Sequence, residues 1–406
     1  MPTLNDDILL LIFEAVGTSK DRRRDQSCVK TLLACCLVSE AWQRLVQPIL
    51  NQVLIIDSED HLQRRLLNRS PEDLKGVREI VLQQSHPDAH FHLDLGQVLR
   101  ALPLQNLRSF ICFDRATFGG YHSHDPLDRS LIGQVRYSPP PLDHDLSSVR
   151  EALLCNINGG SSWTPFLLRT TKLRDLTFHG AGWTGHSEYA NSPLYLPSEP
   201  APFSLKRLEI FRSCIQKEPL RWLLSSSADS LKHLSVRYMQ REWDTFADIS
   251  KLRADGLLPE VHHLTFAVSD SRGVKNFDDI VRKPLAAWQG LHTMYIYGED
   301  NKCRAAIFHG LSQLQPCPVI EMGVGDMRMI DLKSLFRLRK GKLQPGTHLR
   351  LISKRVRTEG RMGGYETWGT QDGQSHEYWS EMEEEAKELA KKHGVKLEVA
   401  EVSYYA

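Results

Sequence analysis

One short pattern recurs along this chain at a nearly constant interval, and it restricts the possible folds more than any other feature. In a six-residue stretch, positions 1, 4 and 6 are apolar. The copies are Val77/Ile80/Leu82, Leu107/Phe110/Cys112, Leu173/Leu176/Phe178, Leu205/Leu208/Ile210, Leu231/Leu234/Val236, Val261/Leu264/Phe266 and Leu291/Met294/Ile296. A fair match starts at Val319 and a weak one at Leu349. From 173 the starts fall at 205, 231, 261, 291 and 319, which are steps of 32, 26, 30, 30 and 28 residues. The step from 77 to 107 is 30, and the step from 107 to 173 is 66, so one copy there is degenerate or replaced by an insertion. Between copies the apolar spacing turns helical, as in Leu220, Leu223 and Leu224, in Phe246, Ile249 and Leu252, in Ile280, Val281, Leu285 and Trp288, and in Ala306, Ile307, Leu311 and Leu314.

A strand plus a helix every 30 residues or so cannot bury its apolar face alone, so such units stack into an array. The unit resembles a leucine-rich repeat with the helix on its outer side. The expected fold is α/β: parallel strands on a concave face, helices outside, and an array over residues 77–355. Positions 1, 4 and 6 point into the shared core. Positions 3, 5 and 7 alternate outward. They place Arg207, Glu209, Phe211, His233, Arg237, His263, Tyr295 and Tyr297 together on that outward face. Aromatic residues and Arg dominate protein interfaces, so these eight are the expected target-binding residues.

The first fifty residues differ. Asn5 or Asp6 can cap a helix whose first turn is acidic, and Ile8, Leu9, Ile12, Phe13 and Val16 recur on one face. Arg22, Arg23 and Arg24 mark a solvated loop. A second helical stretch is expected from about Cys28 to Leu45, with Pro48 ending it or just beyond its end. Leu4-Asn5-Asp6-Asp7-Ile8-Leu9-Leu10-Leu11-Ile12-Phe13 followed by Cys36-Leu37-Val38-Ser39-Glu40-Ala41-Trp42 resembles an F-box, with Asn5 where that family usually has Pro. The array in turn resembles the irregular repeats common in F-box proteins, of the fungal type. The resemblance implies a partner, the Skp-type adaptor of a Skp–cullin–F-box ubiquitin ligase, and through it cullin. By position it implies that Leu4, Ile8, Leu9, Ile12, Phe13, Val38 and Trp42 make or support that contact. The F-box would occupy residues 1–50, with a linker or first helix over 51–76.

Two loop insertions are expected near 114–145 and 182–202, rich in Pro, Gly and His. Residues 145–156 read as a helix capped by Asp145 or Ser147. At the end of the chain, 356–406 is expected to close the array with a helix over His376–His393, a C′ glycine at Gly394 and an edge strand over Val395–Val402.

Composition and motifs exclude other classes. Lys plus Arg number 51 against 50 for Asp plus Glu, a net charge of +1, which is not the balance of a nucleic-acid or anionic-membrane binder. The longest apolar runs, such as Leu32–Val38, are seven residues, against roughly 18–20 needed to span a bilayer. Asp6 and Asp7 precede the first apolar run, unlike the basic start of a secretory signal. The eight cysteines form no C-x-x-C pair, so reduced thiols and a cytoplasmic or nuclear location are expected. Gly180-Ala181-Gly182-Trp183-Thr184-Gly185 matches G-x-G-x-x-G but runs into Pro193 rather than opening a helix, so it reads as a repeat-edge turn. His86, His90, His92, His122 and His124 read as loop histidines rather than metal ligands. Neither a catalytic motif nor a cofactor or metal site is expected. The expected function is therefore that of a non-catalytic substrate receptor for the ligase. The alternative is a repeat scaffold that binds protein without any link to ubiquitylation.

Overall fold

The computed structural model describes residues 6–17, 27–56, 58–84, 95–102, 104–114, 145–155, 164–179, 182–183, 197–211, 213–215, 217–237, 243–268, 283–298, 319–323, 346–357 and 375–405. The chain divides into two compact units, Met1–Ile157 with Ser162–Leu173, and Asn158–Ser161 with Arg174–Ala406.

The first unit opens with three helices, α1 (Asp6–Gly17), α2 (Ser27–Cys36) and α3 (Glu40–Leu50). They close on a small core of Leu9, Phe13, Leu32, Val46 and Ile49. The single helix expected over Cys28–Leu45 is thus two. Ser39 adopts an extended backbone, and its Oγ accepts the Trp42 N–H at 3.2 Å, which starts α3 afresh. Nor does Pro48 end this helix, which runs on to Leu50. So near the C-terminus, the missing N–H of proline removes one backbone bond and leaves the last turn in place.

Strands β1 (Val53–Ile56), β2 (Glu79–Gln84), β3 (Ser109–Asp114) and β4 (Glu151–Cys155) follow in this unit. They pair in sequence order, all parallel, with Val53 opposite Glu79, Glu79 opposite Ser109 and Ser109 opposite Glu151. The helix expected over 145–156 is not there. Asp145 instead accepts the Ser147 N–H at 2.8 Å in a tight turn, and the chain then extends as β4. Val149, Ala152 and Leu154 are buried at positions 1, 4 and 6, which is the copy absent from the 66-residue step. Phe110 and Phe166 fill the space beneath, their rings 4.8 Å apart.

In the second unit β5 (Asp175–His179), β7 (Arg207–Phe211), β9 (His233–Arg237), β10 (His263–Val268), β11 (Thr293–Gly298), β12 (Val319–Gly323), β13 (His348–Arg357) and β14 (Lys396–Tyr405) pair one after another, again all parallel. Two short strands, β6 (Gly182–Trp183) and β8 (Cys214–Ile215), pair with each other. Helices at Lys217–Leu224 and Trp243–Ala254 carry the apolar residues expected between those copies, and the short helix Lys283–Ala286 carries Leu285, with Trp288 just beyond its end and Ile280 and Val281 outside the described residues. The helix expected around 306–314 lies outside the described residues. Phe246 stacks on Phe266 at 4.1 Å and lies 6.3 Å from Trp288, whose indole N–H donates to Ser250 Oγ at 2.9 Å. Serine side chains tie one repeat to the next: Ser227 Oγ accepts the Leu205 N–H, and Ser230 Oγ donates to the Leu205 carbonyl. The C-terminal helix spans Ser375–Lys392, and Gly394 follows at φ +70°, the left-handed conformation that glycine adopts without strain.

Candidate functional site

Helical spacing divides the N-terminal apolar residues between two surfaces. Leu9 and Phe13 are buried at 7% and 3% exposure, and Trp42 is half-buried with its ring edge-on to Phe13 at 5.2 Å. Ile8 and Ile12 of the same helix face solvent, as does Val38 in the turn between α2 and α3. The seven residues expected to serve an adaptor therefore take different parts. Ile8, Ile12 and Val38 are surface, and Leu9, Phe13 and Trp42 are the support beneath. Leu4 lies outside the described residues. Three more apolar side chains share the exposed set: Leu11, Leu33 and, most exposed at 89%, Leu37. A continuous helix from 28 to 45 would have counted Leu33 and Leu37 as core. The Ser39 cap was the signal that they are not.

The second candidate surface is a sheet face in the other unit. Positions 4 and 6 are buried in strand after strand (Leu208 and Ile210, Leu234 and Val236, Leu264 and Phe266), while Arg207 and His233 are exposed and Glu209, Phe211, His263 and Tyr295 are half-buried. The register sets Arg207, His233, His263 and Thr293 in one row, Glu209, Ser235, Thr265 and Tyr295 in the next, and Phe211, Arg237, Ala267 and Tyr297 in a third. All eight expected target-binding residues fall in these rows, with the side chains of Arg237 and Tyr297 outside the described set. Ser235 departs from expectation, buried at 7% exposure rather than outward and open, and in the first unit Ser109, Ile111 and Leu153, at positions 3 and 5 of their copies, are buried as well.

Electrostatics along the first row are specific. Arg207 reaches Glu209 through both Nε (2.8 Å) and Nη2 (2.6 Å). The His233 and His263 rings stack at 4.4 Å, and His263 Nδ1 lies 2.6 Å from Thr293 Oγ1. His262 and His292, one position earlier, stack at 4.5 Å. Desolvation, followed by the charge of His263 and then Arg207, holds His233 below the usual histidine value. Desolvation, followed by His292 and His262, does the same to His263. Sequence reasoning placed His233 and His263 on this face but did not see that four histidines would stack in two pairs. The 30-residue steps from 233 to 263 and from 262 to 292 carry that information.

Elsewhere the chemistry is plain. Among the described residues no group of His, Cys, Asp and Glu could hold a metal, and no helix is long and apolar enough to cross a membrane. Cys35, Cys36 and Cys112 are not joined in disulfides, and burial, followed by Cys35, pushes the Cys36 thiol up and away from a reactive thiolate. Of the G-x-G-x-x-G stretch, Gly182 and Trp183 lie in β6 and the other residues lie outside the described set, as do the loop histidines of 86–92 and 122–124. In comparisons with known proteins, no family model and no curated protein matches this chain.

Proposed function

We propose that the protein is a non-catalytic substrate receptor of a Skp–cullin–F-box ubiquitin ligase, with α1–α3 as the F-box and the strand–helix units as irregular leucine-rich repeats that hold a target protein. The observation that carries this reading is the exposed apolar set on α1, α2 and the turn after α2, in a three-helix group with its own small core. Ile8, Leu11, Ile12, Leu33, Leu37 and Val38 are all about half exposed or more. Isolated exposed leucines are ordinary, whereas a group of six within thirty-one residues of sequence, from 8 to 38, marks a partner surface. The F-box resemblance of the motif residues quoted above supports the adaptor as that partner. The second unit supports the receptor half, because its outward rows carry Arg, Phe and Tyr side by side.

Co-purification tests the reading. Wild-type chain should retain a Skp-type adaptor from a fungal lysate, and the Ile8→Asp variant should lose it by well over tenfold, since a carboxylate forced into a dry interface costs several kcal/mol. Ile8 is exposed in the free protein, so the same variant should keep its helical signal. Undiminished adaptor capture by a folded Ile8→Asp protein would refute the assignment.

A further inference from the structure

Position 2 of the repeat, used by neither the core nor the outward face, is basic in copy after copy. In the first unit it is Arg78, Arg108 and Arg150. In the second it is Arg174, Lys206 and Lys232, before histidines take over at 262 and 292. Its structural duty is done by the backbone alone: the Arg108 N–H donates to the Arg78 carbonyl at 2.7 Å, and the Arg150 N–H to the Arg108 carbonyl at 2.8 Å. Among the described residues no hydrogen bond or ion pair of the fold uses the cationic side chains of Arg78, Arg108 and Arg150.

In the first unit the three arginines line an open groove of about 480 Å³, joined by Lys75 and Lys172, with no carboxylate among its lining residues. Lys75 pairs with Glu72, and Lys172 contributes a lesser part, after hydrogen bonds from Ser147, to holding the Asp145 carboxyl below its usual range. Arg78, Arg108 and Arg150 are exposed and, among the described residues, make no ion pair or side-chain hydrogen bond. Their platform is fixed. Asn106 Nδ2 donates to the Lys75 carbonyl at 3.0 Å, and Ser148 Oγ sits 2.7 Å from the carbonyl oxygens of both Leu104 and Leu107. Three like charges on neighbouring strands, about 4.8 Å apart, repel one another. In a chain with a net charge of +1, such a column is a local concentration of positive charge with no counter-charge among the described residues that line the groove.

We propose that this groove docks an acidic peptide segment, a run of Asp and Glu on a partner protein. Each guanidinium can take a carboxylate through two parallel N–H bonds. Three adjacent strands span about 10 Å, the reach of three to four residues of extended peptide at about 3.3 Å each. The groove holds no aromatic side chain on which bases could stack, which disfavours a nucleic-acid strand. The inference is separate from the adaptor reading, and the Ile8→Asp protein should bind the peptide as wild type does.

The test uses the full chain and a fluorescein-labelled oligoglutamate peptide, followed by anisotropy at low and at physiological salt. Wild type should bind, and salt should weaken the complex. Arg78→Gln/Arg108→Gln/Arg150→Gln should weaken binding at least about tenfold and melt at a higher temperature than wild type in low salt, because the repulsion is gone. The charge-matched control Arg221→Gln/Lys391→Gln/Lys392→Gln should bind normally. Arg108→Lys, which keeps the charge and loses the fork, should bind with intermediate strength. Equal loss in the control, tighter binding of an oligouridylate than of the peptide, or full competition by inorganic phosphate at matched ionic strength would each overturn the proposal.

Discussion

Replacing Phe266 by alanine interrogates the repeat register directly. Phe266 occupies position 6 of its copy, is completely buried, and stacks at 4.1 Å on Phe246, which in turn faces Trp288. Its neighbour Thr265 points to the opposite, outward side and is half-buried. Truncating a core Phe costs about 3–5 kcal/mol, a figure that includes the roughly 0.5–1.5 kcal/mol carried by the ring pair itself. The presence of two further aromatic rings around the gap limits its collapse, so about 4 kcal/mol is expected for Phe266→Ala. Thr265→Ala should cost less than about 1 kcal/mol. Native-state hydrogen exchange, read on peptides from 243–268 and from both flanking strands, separates this loss from events in the other unit. Protection should fall most in β10 and then in β9 and β11, because each repeat leans on its nearest neighbours. If Phe266→Ala cost under about 1 kcal/mol, or Thr265→Ala cost more than Phe266→Ala, the assignment of faces would be wrong.

Two other outcomes follow from the outward rows. His233 and His263 are both held below the ordinary value of 6.5 in the folded chain, so the unfolded chain takes up protons first as pH falls. Their contribution to stability is therefore complete above 6.5 and is lost as pH drops from there through the lower folded values. The melting temperature of wild type should fall more steeply between about pH 6.5 and 5 than that of His233→Gln/His263→Gln, and parallel pH profiles would rule this out. The triple variant Arg207→Ala/Phe211→Ala/Tyr295→Ala should lose a captured target while melting within a few degrees of wild type, as measured by calorimetry and target pull-down. A collapse of stability would mean that these side chains belong to the core.

Much of the sheet was readable because parallel strands repeat the same three apolar positions at one interval, and burial at Leu208, Ile210, Leu234 and Val236 follows that pattern. What escaped was local. Val149-Arg150-Glu151-Ala152-Leu153-Leu154 satisfies the pattern but presents Ala at position 4, and a run of Ala and Leu reads equally well as helix. Only pairing with β3 settles it as a strand. Similarly, Leu33, Leu37 and Val38 fit a helix face by spacing, and a single serine hydroxyl on the Trp42 N–H breaks that continuity and leaves them in solvent. The outward face was legible as a list of residues but not as stacked histidine pairs, since stacking depends on side-chain packing across strands rather than on order along one. The basic groove went unseen for a different reason: averaging charge over 406 residues gives +1 and hides a column that sits on one edge.

Within each unit the strands of the main sheet pair in chain order, and the paired residues are separated by 26 positions at the shortest (Val53 to Glu79) and 48 at the longest (His348 to Lys396). The entropy of closing such loops grows only with the logarithm of their length, so the longest connection costs about 0.5 kcal/mol more than the shortest. Segments can therefore be added between strands almost without thermodynamic penalty, whereas one residue gained or lost inside a strand would turn every later side chain of that strand to the wrong face. Sequential pairing also means that no strand must wait for a distant partner. Within each unit the sheet can be laid down in the order in which the strands leave the ribosome.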